Sequence, residues 1–258
     1  MTFTATFRRS CTVLLLAALC SAPLAAQQEN KGNLLFLWRE NPPKGSADGD
    51  IIRHLQEQGY TVTIREALDD AAGVCQYDLV LLSSTVRSNQ MTAKRLPVSI
   101  LRNMRVPLLT WENDLLDDLR YTALRRDHDF GELETGHYAW VVRAPHPLAA
   151  GVPAGLTTWT EARQPAGWGT PGLGADTIMV WPGEPDKAMF FAYERGATMD
   201  HDFLAPARRV FLGLDNNTFT HLTDEGRKFF DAAVQWGVAD KGERGKDCVA
   251  PSPHSALE

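Results

Sequence analysis

The chain has 258 residues, with 26 basic against 32 acidic side chains and a formal net charge of −6. An acidic balance without a basic block argues against nucleic acid and anionic membrane surfaces as partners. The length suits one large α/β domain or two small ones.

Arg8 and Arg9 precede the apolar run Val13 to Leu19, and small residues follow as far as Ala25 and Ala26. Charge, apolar core and small residues in that order read as a secretory signal peptide over 1–26. The core is shorter than the roughly 20 apolar residues of a membrane span. Leu19 is bulkier than the residue that normally precedes an acylated cysteine, so no lipid anchor at Cys20 and no membrane anchoring are expected. The expectation is a protein exported to the periplasm or beyond. Arg8 and Arg9 leave with the leader, taking the balance to 24 basic against 32 acidic side chains. Cys11 and Cys20 leave too, so Cys75 and Cys248 remain. In an oxidising compartment two lone cysteines more often form a disulfide than a reactive site, and a Cys75–Cys248 bridge is expected.

Asn33 to Trp38, NLLFLW, is an apolar run of strand length and reads as a central strand. Two prolines in the loop after it, Pro42 and Pro43, forbid helix there. Ser46 or Asp48 then caps a helix whose Ile51, Ile52 and Leu55 share a face, and Gly59 supplies the left-handed residue that ends it. Tyr60 to Ile64 alternates and is β-branched, which suits a second strand nearer the edge. A short helix over Asp69 to Val74 precedes Asp78 to Ser83, a third buried strand. Asn89 to Asn103 has helical composition, with Pro97 as an interruption.

Arg105 to Leu119, RVPLLTWENDLLDDL, is the centre of the pattern. Val106, Leu108 and Leu109 make a strand buried on both faces, and Trp111, Glu112 and Asn113 follow at its carboxyl end, where open α/β sheets bind ligands. Leu115, Leu116 and Leu119 mark a helix over Asn113 to Leu124. Four strands alternating with helical segments imply a doubly wound, mostly parallel, flavodoxin-like sheet with helices on both faces.

The second half reads as an antiparallel β-rich extension. Tyr138 to Val142, Leu156 to Thr160, Thr177 to Trp181 and Lys187 to Tyr193 are strand-like and separated by Gly and Pro. Pro165 to Gly174, PAGWGTPGLG, reads as a long surface loop, and RDHDFGELETGH as an acidic solvated one. Arg209 to Leu214 is another buried strand, and Thr223 caps a closing helix to Val238 with Phe229, Phe230, Ala233, Val234 and Gly237 on one face. The expected organisation is one domain over 30–239 and a disordered tail over 240–258, except where Cys248 pins it.

In order, NLLFLW, YDLVLLSS, VPLLTWEN, HPLAAGV, RRVFLGLDNN and DAAVQWGV resemble the ThuA-like, trehalose-utilisation family of the class I glutamine amidotransferase-like superfamily. HPLAAGV resembles its His-Pro-(Ile/Leu)-x-x-Gly segment and RRVFLGL its Gly-Arg-Val strand. The resemblance implies an amidotransferase-like fold over most of Asn33 to Val238 and a carbohydrate association. Where the amidotransferases carry a Gly-x-Cys nucleophile turn, this chain reads Thr110-Trp111-Glu112. Leu214, Asp215 and Asn216 stand where the catalytic His-Pro-Glu would follow the last strand. Without thiol and base together, cysteine-dependent glutamine hydrolysis is not expected.

The candidate site is therefore Glu112 and Asp215 as paired carboxylates at strand carboxyl ends, with Trp38, Glu40, Ser84, Trp111, Asn113, Asn216 and Trp168 as ligand-binding candidates. Paired carboxylates serve as acid and base in glycoside or ester hydrolysis, or hold a hard cation such as calcium. The alternative for Glu112 is a structural cap accepting helix N–H groups or an arginine. Trp38, Trp111 and Trp168 are candidates for stacking on sugar rings, whereas Trp140 and Trp236 read as core. His146 reads as turn punctuation, and His128, His137 and His201 match no zinc spacing. No resident metal or other cofactor is expected. Three functions stand: a saccharide- or polyol-binding protein, a hydrolase using Glu112 and Asp215, and a structural module.

Overall fold

The computed structural model describes residues 1–2, 30–67, 73–94, 96–240 and 248–249. The proposed leader, the body of the expected Asp69–Val74 helix and most of the C-terminal tail lie outside the described residues. Among the described residues, no helix is long and apolar enough to cross a membrane.

The parallel half starts with β1 (Asn33–Trp38), α1 (Asp48–Glu57), β2 (Thr61–Glu66) and β3 (Leu79–Leu82). Helices α2 (Ser88–Lys94) and α3 (Leu96–Asn103) follow, then β4 (Leu108–Thr110). Pro97 divides the helical stretch as its missing N–H requires, since proline is tolerated only in a first turn, and here it falls in the first turn of α3. The extension comprises β5 (Phe130–Gly136), β6 (Tyr138–Val141), β7 (Gly155–Thr158), β8 (Gln164–Gly169), β9 (Asp176–Trp181) and β10 (Glu184–Tyr193). The chain then returns through β11 (Arg209–Leu212) to the parallel sheet and closes with α4 (Asp224–Ala239).

The strand order β2-β1-β3-β4-β11-β10-β9-β6-β7 is parallel as far as β11 and antiparallel beyond it. A hairpin-like layer, β5 paired with β8, joins through β10. Strand alternation sends Leu34, Phe36, Leu79, Leu81, Leu109, Val210 and Leu212 to one face, with Ile51, Leu55, Phe229 and Phe230 of α1 and α4. Leu35, Leu37, Val80, Leu82, Leu108 and Phe211 face the opposite core with Met91, Val98 and Leu101. Burial on both faces is why these strands read as continuous apolar runs. α1 ends as expected, with Gly59 at φ 96°, and Thr223 caps α4 by accepting from the Gly226 amide at 3.1 Å.

Four expectations are corrected. Asn113 to Leu124 is not a helix but a 3-10 turn, Asn113–Leu115, followed by turns. Arg120 is left-handed at φ 66°, the Tyr121 amide donates to Leu116 at 2.8 Å and the Arg120 amide to Asp117 at 2.9 Å. That pairing is a Schellman closure, so the Leu period is spent within one turn. PAGWGTPGLG is not a surface loop: its first half is the buried strand β8. The glycines there are sites of close backbone approach; a Cβ on Gly167 would press on Phe211 and Asn113. The acidic segment before His137 contains β5, whose pairing with β8 outweighs its polar composition. Trp140 is not core but 46% exposed on the outer face of β6.

Cys75 and Cys248 form the expected disulfide, with Cα atoms 5.6 Å apart. It fixes the C-terminal segment, where Val249 bridges to Met104 and the Arg105 amide donates to the Cys248 carbonyl at 2.6 Å.

Candidate functional site

The parallel strands deliver their carboxyl ends to one edge: Trp38 to Glu40 after β1, Ser83 to Thr85 after β3, Trp111 to Asn113 after β4, and Leu214 to Asn216 after β11. The sequence-derived residues divide there into two groups and a remainder.

Glu112 and Asp215 share the first group. Glu112 is 4% exposed and accepts from the Asp114 amide at 2.9 Å, which makes it the N-cap of the 3-10 turn. Its own amide donates to the Thr110 hydroxyl at 3.1 Å. Burial pushes the Glu112 carboxyl well above the ordinary range, the Asp114 amide opposes the shift, and the negative charges of Asp114, Asp215 and Glu132 add to it. Glu132, although an exposed residue, is also raised, first by partial desolvation, then by Asp215 and Asp114. Arg126 pairs with Asp114 at 3.1 Å. The cap reading of Glu112 is thus realised, within a cluster of carboxyl groups.

Strand β8 roofs this group. The Thr218 hydroxyl donates to the Pro165 carbonyl at 3.1 Å and accepts from the Asp215 amide at 3.1 Å. Gly167 packs on Asn113 and Gly213, while Glu132 stands opposite Gly167 in the β5–β8 pairing. Glu112 lies buried beside Asn113, and desolvation is the largest cause of its raised pKa.

The second group is Ser84 and Asn216, joined by a 3.1 Å hydrogen bond from the Ser84 hydroxyl to Asn216 Oδ1. The Asn216 carbonyl accepts from the Ala47 amide at 2.7 Å. Beside it lies Asp48, 1% exposed, whose carboxylate accepts from Ser83 Oγ at 2.7 Å and Thr85 Oγ1 at 2.6 Å. Burial raises the Asp48 carboxyl, and the hydrogen bonds from Thr85, Ser83 and Ser46 pull it back. Asp48 ties the start of α1 to the end of β3.

The remaining candidates separate. Trp111 is a core residue, 1% exposed, with ring centroids 5.7 Å from Phe36 and 6.3 Å from Phe230. Trp168 is 4% exposed, with Lys187 over its ring at 5.1 Å. Neither offers a face to a sugar. Trp38 is half-buried against the core. Glu40 is exposed and donates its amide to the Glu66 carboxylate. His146 behaves as turn punctuation, capping the 3-10 turn Pro147–Ala149 by accepting from the Leu148 amide at 3.2 Å.

Sequence reasoning missed Asp48 as a buried carboxylate that binds the end of β3 from the start of α1, and Glu132 and Asp114 as neighbours of Glu112. The signal for Asp48 was present in its position between the β1 loop and an apolar helix face. That for Glu132 was hidden, because β5 carries little apolar alternation. Both cysteines among the described residues are in the disulfide, so these residues place no free thiol at the β4 turn. Among the described residues, no group of three or more His, Cys, Asp or Glu side chains is arranged to hold a metal ion, so the calcium reading gains no geometry here.

The doubly wound sheet of order β2-β1-β3-β4-β11, with its antiparallel extension, is a fold that this chain shares with solved structures. A provisionally named GMP synthase protein from Thermoplasma acidophilum is similar at a TM-score of 0.52 and 13% identity, over 81% of this chain and 94% of that one. A provisionally named ThuA-like protein from Bacteroides uniformis is similar at 0.50 and 10% identity, over 85% and 97%. No family model and no curated relative matches the sequence.

Proposed function

We propose that this protein is exported, lacks amidotransferase activity, and binds a saccharide or related polyol at the carboxyl ends of its parallel strands. The observation that carries the reading is the placement of Glu112 and Asp215 at the carboxyl ends of the neighbouring strands β4 and β11, with Glu132 opposite Gly167 in the β5–β8 pairing and all three interacting electrostatically. A carboxylate accepts hydrogen bonds, and a protonated carboxyl also donates one. Vicinal hydroxyl groups, each donor and acceptor, are the ligand chemistry that uses both. The ThuA-like resemblance supports a carbohydrate ligand, and the leader-like segment and the disulfide support export.

The test is thermal unfolding of the full chain against a panel of mono-, di- and oligosaccharides and polyols, with and without calcium. A midpoint that rises with ligand concentration, as linkage requires, and that no longer rises in Glu112→Gln supports the reading. A midpoint indifferent to the whole panel overturns it.

A second reading has its own observation. Glu112, a buried carboxyl with its pKa raised by desolvation, and Asp215 at the end of the neighbouring strand are the residue types that serve as general acid and as carboxylate base or nucleophile. As a glycoside or ester hydrolase, the protein would lose turnover in both Glu112→Gln and Asp215→Asn. An unchanged rate in either variant removes that residue from the mechanism.

A further inference from the structure

Away from the parallel strand ends, four strand termini of the extension converge: the end of β5, the start of β6, the approach to β8 and the end of β9. Between them lies an open cavity of about 400 Å³ lined by Thr135, Gly136, His137, Tyr138, Arg163, Trp181 and Pro182. None of these residues belongs to the site described above.

Its construction is specific. The Trp181 ring lies directly on the Gly136 backbone, so close that a Cβ there would collide with its Cη2 and Cζ3 atoms. Glycine at 136 is what leaves room for the outer edge of the indole against the chain. Tyr138 is 46% exposed, and its ring meets His137 edge-on at 4.5 Å. On the same outer face of β6, two residues along, stands the exposed Trp140. Arg163 is exposed at the rim.

The charge is as telling as the shape. The lining holds an arginine and no acidic side chain, in a chain whose net charge is −6. Glu134 and Glu161, close by in sequence, lie outside the lining. A cation in an acid-free pocket on an acidic protein selects anions. A guanidinium fork matches a carboxylate in two parallel hydrogen bonds. Rigid aromatic faces with one polar handle suit the C–H face of a pyranose ring.

We propose that this cavity is a second binding site, for an acidic sugar of the uronate class: the ring rests on Trp181 and Tyr138, and its carboxylate is held by Arg163. The site goes beyond the strand-end reading and does not depend on it.

The experiment is isothermal titration of the full chain with a galacturonic acid trimer and, in parallel, with a neutral glucose trimer. The expected result is binding of the acidic trimer that weakens with added salt, with a tenfold or greater loss in Arg163→Met and in Tyr138→Ala. Both residues are on the surface, so these variants should fold. Gly136→Ala, which displaces Trp181, should lose binding as well. Glu112→Gln should leave it unchanged, separating this site from the strand-end one. The proposal is overturned if the acidic trimer does not bind to Glu112→Gln, if the neutral trimer binds that variant equally well, or if Arg163→Met binds the acidic trimer like the parent.

Discussion

Gly167 and Gly213 meet backbone to backbone: the Gly167 carbonyl oxygen occupies the space a Cβ on Gly213 would need. This contact seats β8 on the end of β11 and closes the roof over Glu112. Gly213→Ala should therefore force the two strands apart, costing about 1–3 kcal/mol as overpacking does. Water admitted beneath β8 should also bring the Glu112 carboxyl back toward its ordinary range. Urea unfolding reads the first effect and carboxyl-detected NMR titration the second. A variant with parental stability and an unmoved Glu112 would show that the glycine pair does not hold the roof.

Glu112 also sets a pH dependence. Its folded pKa is raised above the ordinary value of 4.5, so between the two values the folded chain binds the proton that the unfolded chain has lost. Stability should then fall as pH rises from about 4.5 toward the folded pKa, approaching about 1.4 kcal/mol per pH unit for this one group. Glu132 acts in the same direction, so the comparison must be with Glu112→Gln, which mimics the protonated acid. The variant should gain on the parent as pH increases. Parallel pH profiles for the two proteins would show that Glu112 ionises normally in the fold.

Much of this architecture could be read from the chain because each parallel strand is buried on both sides, so NLLFLW, DLVLLS and RVFLGL appear as unbroken apolar runs. The extension was harder. β5 is polar along most of its length, and its order comes from pairing with β8 rather than from its own pattern. β8 looks like a loop because its glycines, needed for close approach to Gly213 and Asn113, are also the residues of turns. The site was half legible. Glu112 and Asp215 follow from the ends of recognisable strands, but that Trp111 and Trp168 are buried depends on packing from distant α4 and β5, which local sequence does not encode.

The Cys75–Cys248 bridge closes a sequence separation of 173 residues. Cross-links over long loops restrict the unfolded chain most, and removing a native disulfide typically costs about 2–5 kcal/mol. The Cys75→Ser, Cys248→Ser double variant should lose stability in that range. It should also release the backbone pairing of Val249 with Met104 and of Cys248 with Arg105. Hydrogen exchange at the Arg105 amide, now bonded to the Cys248 carbonyl, should rise sharply. Unchanged protection there would mean that the segment stays docked without its covalent tie.

Arg209 bears on the same segment from inside the sheet. Its guanidinium is fully buried and donates to the carbonyls of Val106 at 3.0 Å, Met104 at 2.5 Å, Arg208 at 3.1 Å and Arg102 at 3.3 Å. Burial lowers its pKa to about 10, yet the carbonyl oxygens at the end of α3 and the approach to β4 need its donors. Arg209→Met should cost about 1–3 kcal/mol for each carbonyl left without a donor, partly offset by relief of the buried charge. Lysine should not rescue it, because one ammonium cannot span carbonyls that a planar fork reaches. Met104 is bound both by Arg209 and, across the chain, by Val249. Loss of Arg209 and loss of the disulfide should therefore be non-additive in a double-mutant cycle, as groups sharing a partner are. Strict additivity in urea unfolding would show that the C-terminal segment and the buried arginine stabilise the fold independently.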